Sequence, residues 1–155
     1  MSTATSNPIV LLTSKAINAL SYLTPILDLA LRLWVARVFW NSGLTKIQSW
    51  DTTLMLFEYE YAVPVLPFEL AAVLATGVEL AAPVLLVLGL GTRFGALALF
   101  VLNYVAAIAY PDISPAGLKD HYLWGALLAV TFFHGPGKLS VDHFLSKKLW
   151  STNSN

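Results

Sequence analysis

Two arginines stand where the chain offers them little water. Arg32 and Arg37 lie well inside the apolar run Asp28–Lys46. Roughly twenty residues at 1.5 Å each cross a hydrocarbon layer of about 30 Å, and an unpaired charge at that depth costs several kcal/mol. A third ionisable group, Glu79, sits near the middle of a second apolar run, Phe68–Leu90. If the two runs form antiparallel helices, counting inward from their shared loop puts Glu79 at roughly 16 Å depth, between Arg37 at roughly 12 Å and Arg32 at roughly 20 Å. An arginine–Glu79 ion pair is the expectation, with Lys46 and Glu69 as a second, wetter pair nearer the loop. Such groups either fix helix register or hold an anionic or quinone-like ligand in the bundle. An arginine left over after one pair has formed is a vacant anion site.

His121 follows Asp120 and lies one turn before Trp124. It either orients on the carboxylate to serve a metal, a proton or a carbonyl group, or is an interfacial histidine with a solvated partner. His134 is thirteen residues further on and His143 lies in the tail, so no two histidines share a metal-ligand spacing. Asn103 can hydrogen-bond between helices or serve the charged centre. No nucleophile–base pairing, glycine-rich phosphate loop or metal motif is present, so hydrolase, kinase and metalloprotease readings have no residues to stand on.

The elements that must position these groups are membrane-spanning. The chain is 57% hydrophobic and 12% charged, with a mean hydropathy of +0.67, a balance a soluble domain of this size could hardly keep dissolved. Its formal net charge is zero, which argues against a nucleic-acid footprint. Without cysteine the chain can run no thiol exchange and form no thiolate-ligated metal site, so any redox chemistry belongs to a bound cofactor or a partner. The expected fold is all-α, a four-helix transmembrane bundle with spans at about 25–45, 68–90, 93–110 and 118–134. Interfacial amphipathic helices are expected in the N-terminal segment 1–24, in the first loop and in the tail 135–155.

Within this frame Arg32, Ala36, Phe39, Gly43 and Lys46 form one helical stripe, with Arg37 on another face. Glu69, Ala72, Thr76, Glu79 and Pro83 form a second stripe. Ser14–Leu23 reads as a helix lying on the membrane surface, with no removable signal peptide before it. Ser49–Ala62 repeats Trp50, Leu54, Phe57 and Tyr61 at helical spacing, either as a loop helix packed on the bundle or as a lid over a lipid or quinone pocket. Gly89-Leu90-Gly91-Thr92-Arg93 is a tight turn in which Thr92 can cap the next helix. Ser140 is the expected cap of a tail helix. Small-residue pairs such as Ala71 and Ala75 permit close helix–helix contacts. Sorting lysines and arginines by side places both termini in the cytoplasm, in the bacterial inner membrane.

Leu31-Arg32, Phe39, Gly43 and Lys46, then Glu79, the 89–93 turn and Gly135-Pro136-Gly137-Lys138-Leu139-Ser140-Val141-Asp142, resemble in their order the DoxX family over roughly Asp28–Phe144. Phe57-Glu58-Tyr59-Glu60-Tyr61, Val63-Pro64 and the His121–Trp124 spacing are similar to DoxX proteins associated with maturation of copper-binding ribosomally made peptides. The resemblance implies a multi-pass four-helix protein. Some relatives pass electrons from thiosulfate to quinone, and others sit beside soluble oxidoreductases or assist membrane proteins. Two functions follow: an accessory membrane subunit of a redox or metal-peptide maturation system, or a quinone-binding electron-transfer subunit in which Arg32, Arg37, Glu79 and His121 hold the head group. The former is favoured, with no intrinsic cofactor and quinone as the ligand of the latter.

Overall fold

The computed structural model describes residues 8–152, with side chains over 9–149; the outermost residues of the expected N-terminal segment and tail lie outside this range. The described residues form six helices and no strand: α1 Pro8–Gln48, α2 Trp50–Tyr59, α3 Phe68–Leu88, α4 Thr92–Ala109, α5 Pro115–His134 and α6 Val141–Thr152. Among them α1, α3 and α4 are long and apolar enough to cross a membrane.

The four long helices share one core. Val35, Ala36 and Phe39 of α1 meet Ala82 and Leu86 of α3, Ala96 and Leu99 of α4, and Leu128 of α5. Small residues set how close the helices come. A Cβ placed on Gly43 would lie 2.8 Å from Leu80 Cδ2 and 3.1 Å from Glu79 Cβ, and one on Gly95 would lie 2.8 Å from Leu86 Cδ1. The α1–α3 and α3–α4 contacts are therefore backbone-close, as small residues permit in membrane interfaces.

The Gly43 contact also fixes the α1–α3 register. Gly43 stands five residues before the end of α1, whereas Glu79 stands eleven after the start of α3. Since the two residues are level, α3 begins roughly 9 Å beyond the end of α1. The expected arginine–Glu79 pair assumed level ends, and for this reason it does not form.

Helix α2 fills the step. Its Phe57 packs on Ala71, Ala72 and Ala75 of α3, so the helix contact that Ala71 and Ala75 permit is made within the chain. The amphipathic loop helix is thus present and packed on the bundle. The surface helix expected at Ser14–Leu23 is instead the first part of α1, which runs through Pro25 without a break. Proline there removes one backbone donor but leaves the flanking turns hydrogen-bonded.

The ends of the bundle are closed by local chemistry. Ser114 Oγ accepts from Gly117 N at 3.1 Å, with Pro115 in the first turn of α5. Ser140 Oγ accepts from His143 N at 3.2 Å, capping α6 as expected. Thr92 does not cap α4. Gly91, at φ +55°, is the N-cap residue, and Asp142 from α6 accepts from Gly91 N at 2.9 Å and Thr92 N at 3.0 Å. A carboxylate fits better than a hydroxyl here, because it satisfies two of the free N–H groups and opposes the helix dipole.

Candidate functional site

Between α1, α3, α4 and α5, beneath α2, lies a cavity of about 520 Å3. Most of its wall is aliphatic, from Val78, Leu102 and Val105 among others, and its polar groups come from a few positions. A large, mainly apolar cavity with convergent polar groups is the usual form of a small-molecule site.

One wall holds an ion pair. Lys46 Nζ donates to Glu79 Oε1 at 2.9 Å and stands 2.7 Å from Oε2. Ser42, one turn before Lys46 on α1, donates to Glu79 Oε1 at 3.1 Å and accepts from Lys46 at 3.0 Å. The side chains of Lys46 and Glu79 are 18% and 9% exposed. Charges so enclosed persist only as a pair, and each depends on the other for its solvation.

The facing wall carries His121, whose orientation is set by Asn103. Asn103 Nδ2 donates to the His121 carbonyl at 2.9 Å, which turns Asn103 Oδ1 toward His121 Nδ1 at 2.8 Å. An amide oxygen can only accept, so Nδ1 carries the proton and, in the neutral ring, Nε2 is left with its lone pair. No described residue hydrogen-bonds Nε2. Trp124 meets the ring edge-on at 5.1 Å between centroids. The outer rim is aromatic: Tyr61 packs edge-on against Phe57 at 5.0 Å and Tyr110 at 5.5 Å. Burial, then Glu60, Tyr110 and Glu79, push the Tyr61 phenol above its ordinary value, so it remains a neutral hydroxyl.

The residues singled out in the sequence are thus divided. Lys46, Glu79, Asn103 and His121 come together at the cavity. Arg37, Glu69 and Asp120 are exposed, so Lys46 pairs with Glu79 rather than with Glu69, and Asn103 rather than Asp120 orients the histidine. Arg32 is only 1% exposed but lies at the opposite end of the bundle. There its Nη1 donates to Leu86 O at 2.9 Å and its Nη2 to Leu139 O. The Leu86 carbonyl belongs to the last turn of α3, where helix geometry leaves acceptors free and a cation is favoured. Arg32 is consequently no partner of Glu79 and leaves no anion site beside it. Ser42 and Tyr61 were missed as site residues, although Ser42 could have been read from its one-turn spacing to Lys46.

This fold and cavity define a small helical protein with membrane-spanning helices and a charged pair inside. The DoxX family model matches residues 27–111, and the chain belongs to the DoxX family. A Haemophilus influenzae protein described as uncharacterized is 32% identical over 133 residues, which is 81% of this chain and 87% of the relative. No solved structure matches the chain. The landmarks of the family resemblance fall at both ends of the bundle, Lys46 and Glu79 at the cavity and Arg32, the 89–93 turn and the 135–142 segment around Arg32.

Proposed function

We propose that this protein is an accessory inner-membrane subunit of a redox or metal-peptide maturation system, and that it holds a lipid-soluble, quinone-class molecule in the Lys46–Glu79–His121 cavity. The observation that carries this reading is the pairing of opposite capabilities across one apolar cavity. Lys46 is a cationic donor suited to a carbonyl oxygen, and His121 Nε2 is an acceptor suited to a hydroxyl. A quinone presents the first group and its reduced form the second. Glu79, bridged to Lys46 and Ser42, can pass protons, while the electrons come from a partner protein, since the chain has no cysteine.

The same proposal gives α5 as a fourth crossing. Its 20 residues span about 30 Å. Both termini are then cytoplasmic, as the lysine and arginine distribution favours. The apolar residues of α1 that stand exposed beyond the bundle, from Ile9 to Leu27, support docking to a partner.

Mass spectrometry of the protein purified in mild detergent tests the reading. Near one quinone per chain is expected, falling in His121→Ala and Glu79→Gln. His121→Ala keeps the test valid if Glu79→Gln fails to fold, because His121 is only half-buried. A tightly held partner chain with no quinone would make the cavity structural and the protein a docking subunit alone.

A further inference from the structure

A second cavity, of about 740 Å3, opens at the opposite end of the bundle, between α1, the α3–α4 turn and the α5–α6 turn. Its acids are already engaged. Asp142 spends both oxygens on the Gly91 and Thr92 N–H groups, and Asp28 Oδ1 faces His134 Nδ1 at 3.0 Å. Two cations on the same wall are not engaged: Arg93 and Lys138 are exposed, line the cavity and pair with no described residue. The Arg93 guanidinium lies against Gly135, where a Cβ would come 3.3 Å from Arg93 Nη2 and 3.5 Å from its Nε. Lys138 follows three residues later in the same turn and lines the same recess.

The surfaces bordering this recess are apolar and uncovered. Phe94 is 71% exposed and lines the cavity, and Ile26 and Leu27 of α1 and Phe133 of α5, next in the chain to lining residues, are also exposed. A cationic recess at the end of membrane-spanning helices, bordered by apolar helix faces, matches an amphiphile with an anionic head. We propose that this recess binds an anionic phospholipid. Its phosphate sits on Arg93 and Lys138, its polar headgroup lies outward against the Ser21 and Thr24 hydroxyls, and its acyl chains run inward from Phe94. The proposal needs α4 to cross the bilayer but does not depend on the ligand of the first cavity. Arginine supplies a planar fork for two phosphate oxygens, and the lysine a mobile point charge.

The test is native mass spectrometry of the full chain, delipidated in detergent and offered phosphatidylglycerol against phosphatidylcholine, with inorganic phosphate as a separate arm. One phosphatidylglycerol is expected to be retained in preference to phosphatidylcholine. The preference should fall by about tenfold or more in Arg93→Gln/Lys138→Gln, from the loss of two headgroup-level cations, and inorganic phosphate at millimolar levels should not displace the lipid. Both substitutions are at exposed positions, and the unmodified protein gives an independent reading, since its preference must weaken as salt shortens the screening length. Equal retention of the two lipids, a preference that survives the double substitution, or displacement of the lipid by free phosphate would each overturn the proposal.

Discussion

At the residue scale, the buried charges form two separate groups with different partners. Glu79 depends on Lys46, while Arg32 serves two backbone carbonyls. A double-mutant cycle distinguishes this from the arginine–glutamate pair expected from depth alone. Glu79→Gln and Lys46→Gln should each cost about 3 kcal/mol, by leaving a buried partner unpaired. Together they should cost clearly less than their sum, with a coupling of about 1–3 kcal/mol. Arg32→Ala combined with Glu79→Gln should instead add within about 0.5 kcal/mol. Denaturation in detergent measures all three, and coupling between Arg32 and Glu79 would refute the register. Tyr61 gives a pH signature. Its folded phenol is held above the ordinary value, so its stabilising effect is present below the ordinary tyrosine pKa and lost as pH rises through the folded one. Melting temperatures of the wild type and Tyr61→Phe should diverge as pH climbs past about 10, with the wild type losing stability faster. Parallel curves would show that Tyr61 is not the group responsible.

At the element scale, the α3–α4 turn is where helices, tail and buried arginine meet. Gly89 has φ +68°, and a Cβ there would lie 2.5 Å from Ser140 Cβ and 2.6 Å from Arg32 Nη1. Both the left-handed backbone and the contact exclude a side chain. Gly89→Ala should destabilise by about 2 kcal/mol or more, since strain and displacement of Arg32 add to one another. Gly77 provides the control within the same α3 helix, with nothing within 4 Å of a Cβ. Gly77→Ala should be neutral or stabilising by up to about 1 kcal/mol, the helix-propensity gain. Equal effects of the two changes on the melting temperature would show that the 135–142 segment does not close on the turn.

At the scale of the whole molecule, the four long helices put the Lys46–Glu79–His121 cavity at one end and a cationic recess at the other, with Arg32 and the turns around it at the recess end. The sidedness can be measured cleanly, because the chain has no cysteine of its own. On the proposed four-span topology, in membrane vesicles of known orientation, Lys119→Cys should react with an impermeant thiol reagent from the periplasmic face. Lys138→Cys should react only from the cytoplasmic one. The same sidedness for both positions would mean that α5 does not cross the bilayer.

The limits of α3 and α4 were legible in the sequence because apolar runs and glycine–proline punctuation act locally, whereas the start of α1, at Pro8 rather than near Pro25, was not. Phe68–Leu88 and Thr92–Ala109 depart from the expected spans by at most two residues at any end, and Ser140 caps as its position implies. That Glu79, Lys46, Asn103 and His121 would need polar partners was also legible, since apolar surroundings make any such group conspicuous. Which of them touch was decided by the tertiary structure. The roughly 9 Å step between α1 and α3 depends on how Gly43 seats against Leu80, a contact with no trace in local spacing. Asp142 reaches the α4 N-terminus across 50 residues of chain, and Asn103 reaches His121 from a different helix. Composition and periodicity determine that a helix forms and which face is apolar. Partner choice between buried charges turns on a few ångströms of register, and only the packed side chains set that distance.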